Sequence, residues 1–403
     1  MKILHVITCM DPKMGGVCQA LRTMISGLTL QEVENEVVCL DDPDAAFLTQ
    51  DKFKINALGR GKGPWCYHEN LLPWLIANLT AYDIVIIHGL WQYPGFAVNK
   101  AKNLLSKQGV DLCPKIFVMP HGMLDPYFQR APDRRLKALR NIVYWKLIES
   151  KLINGADGLF FTCEEESLLA SQSFSPYLPK RKFIVGIGVE SPPPYAAAMK
   201  EEFLDKCPGL GNSPYILFLS RIHQKKGIDL LIDAYDNELI KIIRENSKRE
   251  FPKLVIAGPG LDTPFGNKIQ QMVFTNKALR NSIFFTDMLT GNAKWGAFYG
   301  CEAFILPSHQ ENFGIAVVEA LACSKPVLIS NQVNIWREIY DEKAGYVASD
   351  SLAGTIELLV GWNRSSQELK SMMSKNAIDA YLSSFNTMPA TTRLLEAIIE
   401  SYD

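Results

Sequence analysis

The sequence predicts an α/β protein of two parallel-sheet domains, each sheet covered by helices on both faces. Three observations predict it. Short, almost continuously apolar runs alternate with stretches of helical spacing, the pattern of strands buried on both sides. The alternation forms two series, one on each side of a Pro- and Gly-rich stretch from Ser191 to Pro214. The chain has 403 residues, against an ordinary domain size of about 150.

In the first series the strand-like runs are ILHVIT (3–8), EVVCL (36–40), DIVIIH (83–88), KIFVMP (115–120), GLFFTC (158–163) and FIVGIGV (183–189). Helical spacing separates them, as from Val17 to Leu28 and from Leu136 to Leu152. The second series is YILFLS (215–220), KLVIAG (253–258), SIFFT (282–286), AFILPS (303–308) and PVLIS (326–330). Helices are expected over Gly227 to Tyr235 and Gly314 to Cys323, with a last one from about Ser384 to Asp403. The expected domains are 1–192, joined by the terminal helix 384–403, and 193–383.

Composition narrows the function. The chain is 47 % hydrophobic and 21 % charged, with a formal charge of −1, which argues against disorder and against a generally cationic nucleic-acid binder. Nine cysteines are scattered without a CxxC pair and mostly lie in apolar runs. They read as reduced, buried thiols in a cytoplasmic protein rather than as disulfides or zinc ligands. The start, MKILHVITCMDPK, is too short and too polar for a signal peptide, and no window of about 18 apolar residues offers a membrane span.

Ligands of open parallel sheets bind outside the carboxyl ends of the strands. The residues that follow each strand are therefore the informative ones. ILHVIT leads to Gly15-Gly16, DIVII to His88-Gly89 and KIFVMP to His121-Gly122. YILFLS leads to Arg221 and Lys226, KLVIAG to Gly258-Pro259-Gly260, and AFILPS to His309, Gln310, Glu311, Asn312, Phe313 and Gly314. A guanidinium, an ammonium and a helix amino end favour phosphate oxygens. A solvated charged turn is an equal reading of SRIHQKKG alone. Gly15-Gly16 reads as an ordinary turn or as a second loop approaching phosphate, without a full GxGxxG. Glu311 lies in a loop and Glu319 eight residues on, inside an apolar helix; two such acceptors suit two sets of hydroxyls. A buried carboxylate at 319 needs partners.

At these residues the sequence resembles the retaining glycosyltransferases of the GT-B fold, family 4. The resemblance spans nearly the whole chain: the Gly15-Gly16 loop, PHGMLDP (120–126), SRIHQKKGIDLLIDAY (220–235), LVIAGPG (254–260) and the E-x7-E block. HGLWQYPG (88–95), PHGMLDP and NIWREI (334–339) are similar to the exopolysaccharide branch. The resemblance implies two Rossmann-like domains facing across a deep cleft, with the C-terminal helix crossing back to the first. It implies that Arg221 and Lys226 hold a donor diphosphate, that Glu311 contacts the transferred sugar, and that the backbone of Asn312, Phe313 and Gly314 flanks sugar and phosphate. It further implies that Glu319 binds the ribose, Gly16 the diphosphate, Gly258, Met288 and Leu289 the nucleotide, and His121 the sugar. The sequence departs from the family pattern at Ile187-Gly188-Val189-Glu190, at Asp287 and at Ser324.

The implied activity is hexosyl transfer with retention, from a nucleotide sugar such as UDP-glucose to a glycan or polyprenyl-diphosphate-linked saccharide. It needs no metal. Asp42-Pro43-Asp44 imitates a metal-binding DxD but reads better as a solvated acidic loop. His88 reads as a strand-end histidine satisfied by the backbone. Residues 130–151 carry seven Lys or Arg, with Leu136, Leu139, Val143 and Leu147 near one helical face. That helix either lies on an anionic membrane or packs its apolar side into the core. The loop 59–65 either moves over an acceptor or merely connects. Rival readings are a sugar-nucleotide 2-epimerase, a non-catalytic sugar-nucleotide-binding subunit, and a dinucleotide oxidoreductase, for which the missing GxGxxG is a poor start.

Overall fold

The computed structural model describes residues 1–109, 113–130, 134–244 and 251–402. The chain divides into two compact units, Met1–Gly188 with Thr387–Asp403, and Val189–Asn386. Among the described residues, unit 1 holds strands β1 (Lys2–Val6), β2 (Glu34–Cys39), β3 (Lys54–Ala57), β4 (Ile84–His88), β5 (Lys115–Met119), β6 (Gly158–Phe161) and β7 (Lys182–Ile184). They form one parallel sheet in the order β3-β2-β1-β4-β5-β6-β7. Unit 2 holds β8 (Tyr215–Leu219), β9 (Lys253–Ala257), β10 (Ile283–Thr286), β11 (Ala303–Leu306), β12 (Val327–Ser330) and β13 (Gly345–Ala348), in the order β10-β9-β8-β11-β12-β13. Its sheet is parallel too. These are the Rossmann-like sheets of the GT-B fold.

Both orders reverse once, between β1 and β4 and between β8 and β11. The reversal parts two neighbouring crossovers and opens a crevice at the carboxyl ends. The central strands are apolar on both faces: Leu4, Val85, Ile86 and Phe117 in one sheet, and Leu217, Phe218, Ile256 and Ile305 in the other, are fully buried. Each such side chain contributes about 1.5–3 kcal/mol by leaving water.

The terminal helix Thr387–Glu400 packs in unit 1 against the helix Gly16–Leu30. Gly27 permits the approach, since a Cβ there would lie 2.7 Å from the methyls of Thr387 and Thr391. Gln31 Nε2 donates to Thr391 Oγ1 at 2.7 Å, and Lys115 stands 3.9 Å over the Tyr402 ring.

Four sequence expectations change. The edge strands β3 and β13 were not anticipated; both are short and only half-buried, so their apolar signal is weak. The run 183–189 stops as a strand at Ile184, where Gly186 takes φ 80°. The helix expected from Gly227 begins at Ile228, after a tight turn at Gln224–Lys226. The span 136–152 is three segments, Arg135–Tyr144, a widened π turn Trp145–Glu149, and Ser150–Gly155. Its predicted apolar face is not core: Leu136 is 86 %, Leu139 61 %, Val143 51 % and Leu147 63 % exposed. Residues 131–133 of the basic stretch lie outside the described residues.

Candidate functional site

In unit 2 the reversal point gathers the loops after β8 and β11. Lys226 ends the turn Gln224–Lys226, and its ammonium pairs with the carboxylate of Glu311. Lys226 is buried and Glu311 half-buried. Gly227 makes this possible. It takes φ +65°, and a Cβ there would stand 1.9 Å from the Pro307 carbonyl oxygen, so the turn lies directly against the loop after β11. Gly258, at φ +144°, is pressed against the Ser220 carbonyl in the same way. The Glu311 backbone is fixed on both sides: its N–H donates to Gln332 O at 2.9 Å, and its carbonyl accepts from Asn334 N–H at 2.9 Å. Arg221, two residues past β8, is exposed, and no ion pair ties it down among the described residues. The loop after β8 thus carries one buried, paired cation and one exposed cation, a combination that suits a diphosphate.

Gly314, at φ 77°, caps the helix Ile315–Ala322, with Asn312 and Phe313 in the loop before it. Glu319 sits in that helix. It is half-buried rather than fully buried, and the partner it needs is Lys294, whose Nζ donates to Glu319 Oε1 at 2.6 Å. Sequence reasoning missed Lys294, which lies in the separate helix Gly291–Gly300 and carries no motif. Met288 is exposed and Leu289 buried, just past β10. Ser324 takes φ 58°, the left-handed conformation that glycine adopts more cheaply. His309 Nδ1 meets Asp350 Oδ1 at 2.7 Å; that carboxylate raises the imidazole pKa, and burial opposes it.

At unit 1's own reversal point the described residues show an exposed Arg60–Asp42 pair and no counterpart of the pair that the buried Lys226 makes. A cavity of about 540 Å³ opens there, lined by Thr8, Cys9, Asp41, Asp42, Arg60 and Gln92 among others. Asp41 accepts from the Met10 N–H at 2.7 Å and from the Cys9 thiol at 2.8 Å. Burial, reinforced by that carboxylate, pushes Cys9 up to about 12. Gly15 caps the helix Gly16–Leu30 at φ 112°; it and Gly16 are exposed. Asp42 takes an N–H from Asp44 at 3.2 Å and stands 3.6 Å from Arg60, in an exposed acidic loop.

His88 is not satisfied by the backbone alone, as the sequence suggested. Its Nε2 meets His5 Nδ1 and its Nδ1 meets His121 Nε2, each at 3.1 Å. Burial lowers all three imidazoles, His5 and His121 to about 4 and His88 well below its usual value. Glu149 is buried in the π turn, accepts the Trp91 N–H at 2.6 Å, and is pushed up to about 7 by desolvation. Neither His5 nor Glu149 was singled out from the sequence. A histidine in an otherwise apolar strand was the one available signal.

Residues 200–380 match the family model of glycosyl transferases group 1. An uncharacterized glycosyltransferase of Methanocaldococcus jannaschii is 22 % identical over 361 residues, covering 87 % of this chain and 88 % of that protein. A GDP-mannose-dependent alpha-(1-6)-phosphatidylinositol monomannoside mannosyltransferase of Mycolicibacterium smegmatis is 24 % identical over 281 residues, 65 % of this chain and 69 % of that one. Among solved structures, Anabaena HepE in complex with UDP and glucose superposes with a TM-score of 0.70 at 16 % identity, over 99 % of this chain and 100 % of that one. Sucrose-phosphate synthase from Thermosynechococcus elongatus gives 0.69 at 15 %, over 100 % and 99 %. At these identities the likeness speaks for the fold. The chain is a GT-B-fold protein, related through residues 200–380 to the group 1 glycosyltransferases.

Proposed function

We propose that the protein is a retaining hexosyltransferase that uses a nucleotide-diphosphate sugar without a metal ion. The observation that carries this reading is the pair of the buried Lys226 with Glu311, at the reversal point of the unit 2 sheet and in the same loop as Arg221. Arg221 and Lys226 hold the donor diphosphate. Glu311 takes a sugar hydroxyl, and the loop Asn312–Gly314 flanks sugar and phosphate. Glu319 takes the ribose hydroxyls, and Gly258, Met288 and Leu289 border the nucleotide. On the acceptor side, His121 and the Gly15-Gly16 loop contact the sugar and diphosphate. Residues 193–383 thus form the donor domain, and residues 1–192 with the terminal helix the acceptor domain.

In the reaction the bond from the anomeric carbon to the diphosphate oxygen breaks, and a bond to the acceptor oxygen forms on the same face. The acceptor proton passes to the departing phosphate. The two cations stabilise charge as it develops there, and one such preorganised donor is worth roughly 3–4 kcal/mol. The donor is UDP-glucose and the acceptor a glycan or polyprenyl-diphosphate-linked saccharide of exopolysaccharide synthesis. That reading is supported by the sequence resemblance and by the UDP-glucose complex of HepE.

No helix among the described residues is long and apolar enough to cross a membrane. The exposed Leu136, Leu139, Val143 and Leu147, interleaved with Arg135, Lys137, Arg140 and Lys146, instead form a surface suited to anionic lipid at the cytoplasmic face.

A thermal-shift panel of UDP-, GDP- and ADP-sugars tests the donor, because a ligand of the native state raises the melting temperature. UDP-glucose should give the largest rise, and product analysis should show transfer in EDTA. Arg221→Ala with an undiminished transfer rate would overturn the reading, as would an epimerised nucleotide sugar formed without acceptor.

A further inference from the structure

Four neighbouring strands of unit 1 each supply one side chain to a single row. Asn35 comes from β2, His5 from β1, His88 from the end of β4, and His121 from just past β5. The sheet order β2-β1-β4-β5 sets them side by side across the reversal point. Asn35 Oδ1 meets His5 Nε2 at 3.0 Å, and the two His–His contacts follow at 3.1 Å each. Asn35, His5 and His88 are buried, while His121, at φ 52°, is half-buried at the end of the row.

The direction of every hydrogen bond in this row follows from its first member. The Asn35 amide nitrogen is committed to Val33 O at 2.8 Å, so Asn35 turns only its oxygen to His5. An oxygen only accepts, so His5 donates from Nε2. A neutral imidazole carries one proton, so His5 accepts at Nδ1. His88 must then donate from Nε2 and accept at Nδ1, and His121 in turn donates from Nε2. One amide therefore fixes the proton on three rings. It leaves His121 Nδ1 with a bare lone pair and no partner among the described residues.

We propose that Asn35, His5 and His88 are positioning residues that lock His121 in its Nε2–H tautomer, so that Nδ1 accepts a hydrogen bond from a substrate hydroxyl. The hydroxyl rests on the hexosyl-transfer reading above; the tautomer lock does not. The row ends on an amide, which has no basic site to take up a proton. It orients and does not conduct, so His121 aligns the hydroxyl and leaves the proton to the departing phosphate. The burial that depresses all three imidazoles keeps them neutral at pH 7.

The test is long-range nitrogen–proton NMR of the histidine side chains in the full-length chain at pH 7. The expected spectrum shows protonated Nε2 and bare Nδ1 for His5, His88 and His121. In Asn35→Leu the constraint is gone and His121 should show both tautomers. A His121 protonated at Nδ1 in the wild type, or an unchanged spectrum in Asn35→Leu, overturns the lock. The kinetic arm compares His5→Leu with His5→Gln, whose amide both accepts from His88 and donates to Asn35. His5→Leu should lower kcat by at least about tenfold with donor KM nearly unchanged, and His5→Gln should restore most of the rate. Equal loss in both variants, tracking their melting temperatures, would mean a packing role only and overturn the proposal. A wild type without transfer activity counts against the hexosyl-transfer reading, and the NMR arm alone then decides the lock.

Discussion

The two units share one strand plan and differ in what stands at its reversal point. Unit 2 places charges there: Lys226 on Glu311, Lys294 on Glu319 and an exposed Arg221. Unit 1 sets a row of three imidazoles with depressed proton affinity across its reversal point, beside an open cavity lined by Asp41, Asp42 and Arg60 among others. The same topology has been given two kinds of electrostatics. Paired charges that can exchange a carboxylate partner for phosphate suit an anionic donor. Neutral, direction-fixed hydrogen-bonding groups suit hydroxyls. The fold supplies the place, and the side chains after the strands supply the chemistry.

The sharpest way to break this comparison is to remove a unit 2 charge. Lys226→Ala should lower the transfer rate by about 10²–10³-fold. It leaves Glu311 without its cation, and initial rates at saturating donor read the loss. An unchanged rate would mean that the charged site is structural only.

Acid should separate the units next. The His5 pKa is depressed in the folded chain, so the unfolded chain binds the proton first as pH falls. Its contribution is complete above about pH 6.5 and is lost progressively towards pH 4, on the order of 3 kcal/mol in all. Glu149 works in the opposite sense. Its pKa is raised to about 7, so its proton favours the folded state as pH falls from 7 towards 4.5. Glu149→Gln should therefore steepen the acid loss of stability, and His5→Gln should flatten it. Denaturant melts at pH 7, 6, 5 and 4 read both, and parallel curves for all three proteins would remove the titration from the account.

A smaller effect comes from the terminal helix. Gly27→Val crowds Thr387 and Thr391 and should cost about 1–3 kcal/mol, read by chemical denaturation. The smallest effect is expected from Lys294→Met. The half-buried pair with Glu319 should be worth about 1 kcal/mol or less and should weaken with salt, so melts at low and high ionic strength should converge on the variant.

The alternation of apolar runs with helical spacing was enough to predict two parallel sheets, because a strand buried on both faces must be apolar throughout whatever surrounds it. The positions of the motif glycines were legible but their conformations were not: Gly227 and Gly314, expected to start helices, take left-handed turns just before them. The candidate residues Arg221, Lys226 and Glu311 could be named from the sequence because all follow strands on the same edge of a sheet. Which partner each would find was decided by tertiary structure alone. Lys294 reaches Glu319 across 25 residues, and Asn35 reaches His5 across 30, by packing that leaves no local periodicity. The stripe from Leu136 to Leu147 shows the same limit from the other side. Its spacing predicted an amphipathic helix, but burial is a property of what lies opposite, and among the described residues these four side chains stay exposed. Local sequence sets backbone conformation and amphipathicity through short-range sterics and hydration. Pairing, burial and the direction of a hydrogen bond depend on groups far apart in the chain, and only the folded structure brings those together.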